Sequence, residues 1–118
     1  MSFSEALKEV TDEVRGALGA VIVGMDGIIV EEFTNTPGFD LQSVGAEYGN
    51  ILKVVQRASE SLQQGSAKEL TVRSEDSGIV IRKINEEYFL ALLLSPEAGL
   101  GMGRFKARVA ANRLEKEF

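Results

Sequence analysis

The sequence predicts an α/β domain of the sandwich kind. A five-stranded antiparallel sheet, ordered 2-1-5-4-3, carries one long helix on one face and two terminal helices on the other. Three observations lead there. Two continuous apolar runs, residues 19–24 and 88–94, have strand length and no alternation, which suits strands buried on both faces. A 3-4-3-4 apolar spacing from residue 41 to 62 marks a single long amphipathic helix. Asp-Gly, Ser-Gly and Asn-Glu-Glu turns cut the remainder into short strands joined to their neighbours.

In chain order, Phe3, Ala6, Leu7, Val10 and Val14 fall at helical spacing, with Glu5, Lys8, Glu9, Asp12, Glu13 and Arg15 filling the other side. Ser2 or Ser4 offers an N-cap and Gly16 a stop. The first strand is the apolar run at 19–24. Met25-Asp26-Gly27 turns it back, glycine supplying the positive φ of a tight hairpin. Residues 28–33 form the return strand, whose Glu31 and Glu32 mark a sheet margin. A loop punctuated by Pro37 and Gly38 leads to Asp40, a good N-cap. The long helix carries Leu41, Val44, Tyr48, Ile51, Val55, Ala58 and Leu62 as its apolar stripe and ends at Gly65 as C-terminal cap. Residues 69–74 alternate, Leu70 and Val72 against Thr71 and Arg73, as a half-exposed strand does. Strand four follows at 79–84 and strand five at 88–94. A glycine-rich stretch then opens the last helix, which carries Phe105, Val109 and Leu114. The order is αββαβββα, a single domain over residues 1–118.

Strands joined by short turns pair with each other. One and two make a hairpin, and three, four and five make a meander. The two most apolar strands, one and five, belong in the interior, which gives 2-1-5-4-3. About 23 helical residues at 1.5 Å rise span roughly 35 Å, and five strands at about 4.8 Å span roughly 20 Å, so the middle helix is long enough to cross from one edge to the other. Edge strand three has no proline and no bulge signal, only Lys68 and Arg73 for protection, and such an edge invites pairing with another chain in a twofold dimer.

Composition excludes much chemistry. The chain has neither Cys nor His, which removes disulfides, thiolate nucleophiles, Cys-ligated metals and the commonest general base. A net charge of −5 argues against nonspecific nucleic-acid binding. No basic region followed by an apolar run opens the sequence, and no apolar stretch approaches the ~20 residues of a membrane span. Cytoplasmic location is the default expectation, and no cofactor, metal or catalytic residue is expected.

Four constellations remain. Gly99-Leu100-Gly101-Met102-Gly103 stands between a strand and a helix, where phosphate loops occur. Arg104 breaks the dinucleotide pattern and no Lys-Ser/Thr follows, so a structural turn is favoured. Gly45 and Gly49, beside Ala46, cost a helix interior about 1 kcal/mol each. Either the helix packs tightly on its own sheet there, or a small-residue groove receives a partner. Glu31, Glu32, Asp40 and Glu47 read as a solvated acidic face, lacking calcium-loop spacing. The last helix carries Arg104, Lys106, Arg108, Arg113 and Lys116 against Glu115 and Glu117. That net +3 reads as a solvated face, with an acidic partner or membrane surface as the alternative.

The order of these features resembles the roadblock/dynein light-chain family. Residues 19–27 look like its first strand and Asp-Gly hairpin. The long helix and three strands ending in Phe89-Leu90-Ala91-Leu92-Leu93-Leu94 follow, and Gly99-Leu100-Gly101 stands at its entry to the last helix. Gly99 replaces an Asn often seen there. Among members it is most similar to the bacterial MglB-like ones, which lack long extensions. The resemblance implies a homodimer through strand three (Leu70, Thr71, Val72, Arg73) and the middle helix. It also implies a Ras-like small GTPase as partner, whose hydrolysis such proteins accelerate by shaping its switch regions and without an arginine finger. By that reading Gly45, Gly49 and Leu52, with Glu31 and Glu32, face the GTPase. The alternatives are a dimeric scaffold without effect on nucleotide turnover and a small-molecule sensor domain.

Overall fold

The computed structural model describes residues 2–118. Helix α1 (Phe3–Glu13) starts at Ser2, whose hydroxyl accepts the Glu5 N–H at 3.1 Å, so Ser2 and not Ser4 is the cap. Strand β1 (Ala17–Gly24) begins two residues before the predicted run, after Gly16 turns the chain at φ +88°. The Asp26-Gly27 hairpin leads into β2 (Ile29–Thr34), with Gly27 at φ +87° and Asp26 Oδ1 accepting the Ile28 N–H. Helix α2 (Leu41–Ser61) is capped by Asp40 as expected, but Gly65 does not end it. The chain leaves the helix at Gln63, in the left-handed region at φ +59°, with the Gln64 N–H on the Ser59 carbonyl. Gly65 lies in the following loop. Strands β3 (Glu69–Arg73), β4 (Gly78–Lys83) and β5 (Tyr88–Leu94) form the meander, and α3 (Leu100–Glu115) closes the order.

The sheet runs β2-β1-β5-β4-β3, all neighbours antiparallel. Its two edges differ. In β2, Glu31 faces Ile22 and Ile29 faces Val23, so Val30 is an unmatched bulge. In β3 the register against β4 is unbroken from Glu69 opposite Arg82 to Arg73 opposite Gly78. A bulge twists an edge away from further pairing, and β3 has no such device.

Each sheet face has its own core. On one, α1 and α3 bury Leu7, Val10, Ile22, Val80, Leu90, Leu92, Leu94 and Leu114. On the other, Val21, Val23, Ile79, Ile81, Phe89 and Ala91 meet Leu52 of α2. Each fully buried aliphatic or aromatic side chain contributes about 1.5–3 kcal/mol, so burial from both sides holds the central strands. α2 lies mainly over β1 and β2. It therefore covers its face less completely than a helix spanning all five strands.

The helices turn different residues inward than the large apolar side chains suggest. In α2 the buried positions are Leu41, Gly45, Gly49 and Leu52, while Ile51, Val54 and Leu62 remain 43%, 55% and 68% exposed. In α3 the buried positions are Gly103, Ala107, Ala111 and Leu114. Phe105 and Val109, which the sequence places on this helix with Leu114, stand exposed beside Met102, while Leu114 is buried. Small residues let both helix backbones approach the sheet, and the bulky ones are left outside.

Candidate partner-binding surface

The glycines of α2 pack on the chain's own sheet. A Cβ built on Gly45 would lie 3.2 and 3.3 Å from the two methyl carbons of Val23 and 3.6 Å from Ile29. At Gly49 it would lie 3.8 Å from the Phe89 ring. Leu52 is 1% exposed within the core. These three expected partner contacts are therefore internal. The surface α2 offers is its opposite flank, with Ile51, Val54 and Leu62 among Glu47, Asn50, Lys53 and Arg57.

Glu31 and Glu32 do not act as a pair. Glu31 stands opposite Ile22, on the side of the terminal helices, and Glu32 opposite Val21, on the side of α2. Adjacent strand residues alternate faces, so only Glu32 shares a side with α2. Among the described residues, no three carboxylates come together in a metal-holding group. Asp40 is engaged at the helix start: Ser43 Oγ donates to its Oδ2 at 2.6 Å and the Ser43 N–H to its Oδ1 at 3.1 Å. These bonds, the hydroxyl's first, hold its carboxyl below the ordinary 3.8.

Edge strand β3 carries Leu70, Thr71, Val72 and Arg73 where the sequence placed them. Leu70 and Val72 pack partly against the α2-side core. The Arg73 guanidinium donates to the carbonyls of Pro96 at 2.9 Å and Ala98 at 2.6 Å, with a longer bond to Ser95. It clamps the loop between β5 and α3. In the glycine-rich stretch that follows, Gly103 is the constrained glycine. Its Cβ would meet Leu94 at 3.0 Å, whereas Gly99 and Gly101 face open space. Gly99 is the N-cap and residues 100–103 already form the first turn of α3, packed on the sheet at Gly103.

A model of the Roadblock/LC7 domain matches residues 4–94. The chain belongs to the Roadblock/LC7 family. MglC from Myxococcus xanthus is 36% identical over 100% of both chains, with a TM-score of 0.72. A Roadblock/LC7 domain from Streptomyces avermitilis superposes at TM-score 0.88, covering 99% of this chain and 98% of that one, at 13% identity. The gliding protein MglB from Thermus thermophilus reaches 0.86 at 19% identity, covering 95% of this chain and 84% of that one. The last two likenesses concern the fold alone. No curated protein matches the sequence.

This Roadblock/LC7 chain has a second exposed apolar face, Met102, Phe105 and Val109 on α3. Their spacing of three and four residues makes one stripe along the helix. Three of the basic side chains around it already hold carboxylates. Arg104 pairs with Glu69 at 2.8 Å, Arg113 with Glu9 at 3.0 Å and Lys106 with Glu13 at 3.7 Å. Much of the segment's positive charge is thus engaged in fastening α3 to β3 and α1. Among the described residues, no helix is long and apolar enough to cross a membrane.

Proposed function

We propose that this Roadblock/LC7 chain is a noncatalytic homodimeric regulator of a Ras-like small GTPase. The observation that carries the reading is the pairing of an open, unbulged β3 edge with the outward apolar flank of α2. An unpaired strand edge and an exposed apolar patch are each association surfaces. Self-association uses β3 with Ile51, Val54 and Leu62. The GTPase contacts the N-terminal half of α2 around Glu47 and Asn50, together with Glu32 of β2. The buried trio Gly45, Gly49 and Leu52 supports that surface from behind. The regulator acts by binding, and the chain's lack of His and Cys accords with a partner that does its own bond chemistry.

The test is affinity capture by the immobilised protein from native lysate, in parallel with GDP and with a nonhydrolysable GTP analogue. The expected outcome is a small GTPase retained with the analogue and lost from a Glu32→Lys, Glu47→Lys double variant. Capture indifferent to nucleotide would overturn the regulator reading. It would favour the scaffold reading instead, for which the second apolar stripe on α3 supplies a further docking face.

A further inference from the structure

Lys83 carries an ammonium that is poorly compensated. Its side chain is 7% exposed, and its Nζ donates to Ser66 Oγ and, at 2.8 Å, to Glu86 Oε2. Taking an ammonium out of water is costly unless an opposite charge is held firmly against it. Glu86 stands on the β4–β5 turn with its side chain 82% exposed, and a carboxylate so placed contributes little. A second cation adds to the imbalance. The Lys83 N–H donates to the Lys68 carbonyl at 2.9 Å, which continues the register that sets Glu69 opposite Arg82. Lys83 shares the α2 side of the sheet with Ile81, two residues before it, and Lys68 is its cross-strand neighbour there. Among the described residues Lys68 makes no ion pair. Like charges set directly opposite each other are destabilising. Arg82 faces the other side and holds Glu69.

Ser66 is the group set against this pair. Its hydroxyl accepts from Lys83 Nζ and donates to Gln56 Oε1 at 3.4 Å, and the same Gln56 oxygen accepts the Ala67 N–H at 3.0 Å. Gln56 thus holds the hydroxyl in place, in a cleft that Lys68, Lys83 and Asn112 also line. The chain leading to it, residues 62–66, is exposed. Gly65 lies in it at φ +86°, with open space where a side chain would stand. An exposed, irregular segment of this kind is one that a modifying enzyme can draw into its own cleft.

We propose that Ser66 is a phosphorylation site and that Lys83 and Lys68 are the receptor for its phosphate. The proposal is independent of the GTPase reading. The donor is a nucleoside triphosphate held by a protein kinase. Ser66 Oγ attacks the γ-phosphorus, and the Oγ–P bond forms as the bond from that phosphorus to the β–γ bridging oxygen breaks. The hydroxyl proton passes to a base of the kinase, and the nucleoside diphosphate leaves. The phosphoryl group brings a charge of about −1.5 to −2 and three acceptor oxygens. It replaces the opposition of Lys68 and Lys83 with a shared counter-charge and frees the Glu86 carboxylate to solvent. The segment between α2 and β3 is then fastened to the end of β4, where a single neutral hydroxyl holds it in the unmodified chain.

Two measurements test this. In the first, phosphoserine is encoded at position 66 and its phosphorus resonance is followed against pH. Adjacent cations favour the dianion, so the second ionisation is expected about one pH unit or more below its ordinary value of about 6. It returns to about 6 in Lys83→Met, which keeps the apolar stem and loses the charge. Lys68→Ala, at an exposed position, moves it part of the way and serves where the buried substitution disturbs folding. An ordinary value in the unsubstituted chain would overturn the receptor. In the second, the chain is isolated from the cells that make it, across growth conditions, and its tryptic peptides are fragmented in a mass spectrometer. Residues 58–68 leave as one peptide containing Ser59, Ser61 and Ser66. Phosphate on Ser66 is the expected result. Phosphate confined to Ser59 or Ser61, or none under any condition, would overturn the modification.

Discussion

Gly45 and Gly49 sit one turn apart on the same face of α2, yet they tolerate a methyl group differently. At Gly49 an added Cβ makes an ordinary contact with the Phe89 ring, 3.8 Å away. The helix would gain the ordinary advantage of alanine over glycine, so Gly49→Ala is expected to stabilise the fold by about 0.5–1 kcal/mol. At Gly45 the same group presses on both Val23 methyls at 3.2 and 3.3 Å, and Val23 is fully buried. Gly45→Ala is expected to return less than Gly49→Ala. Urea unfolding of the two variants checks the order, and equal gains would contradict it. The sequence alone leaves both glycines readable as packing or as a partner groove. What decides is Val23, Ile29 and Phe89, neighbours that only the folded sheet brings together. Arg73 is similar: its place on the edge strand was legible, but its hold on three loop carbonyls depends on where the β5–α3 turn passes.

Among the elements, strands were easier to read than helix faces. Continuous apolar runs and Gly-containing turns locate β1 and β5 because both faces of those strands are buried and almost every residue registers as hydrophobic. α2 and α3 were legible as helices, but their orientation was not. A helix that packs closely turns its small residues to the sheet, and Gly and Ala weigh little beside Ile, Val, Phe and Met. The predicted stripe starts on the inner face, with Leu41 buried and Val44 and Tyr48 packed on the core, but its later members Ile51 and Leu62 lie on the outer flank. The spacing 41, 45, 49, 52 and its counterpart 103, 107, 111, 114 hold the signal that was passed over. The start of α2 was legible to the residue, because a cap is local chemistry. Asp40's carboxyl is held below its ordinary pKa by Ser43, so its contribution is complete above the unfolded value and is lost as pH falls through the lower folded value. Amide exchange in the first turn of α2 is expected to quicken as pH drops below about 4, corrected for the intrinsic pH dependence of exchange. In Asp40→Asn, an equally good cap that does not titrate, the corrected protection stays flat.

For the whole molecule, topology followed from sequence because short turns leave few ways to join a hairpin to a meander with the most apolar strands inside. The surfaces did not follow, since an exposed flank is defined by what the rest of the chain leaves uncovered. α2 covers mainly β1 and β2, and its outward flank leaves Ile51, Val54 and Leu62 exposed, while Leu70 and Val72 of β3 are only partly buried. An Ile51→Asp, Val54→Asp variant is expected to weaken self-association about tenfold or more, the loss of roughly 1.4 kcal/mol of apolar contact. Both side chains are already exposed, so the monomer's unfolding free energy should change by no more than about 0.5 kcal/mol. Sedimentation across a concentration series and urea unfolding separate the two effects.

The bulge at Val30 has a consequence for stoichiometry. A sheet with two receptive edges is a difunctional monomer: each addition exposes a fresh site, and growth runs on into fibres. With β2 kinked and bordered by Glu31 and Glu32, this sheet has one receptive edge among its described strands, so in the proposed dimer a single joining event through β3 would use it up. By that proposal one unmatched residue on the far side of the molecule acts as a chain terminator and limits edge-to-edge assembly to two.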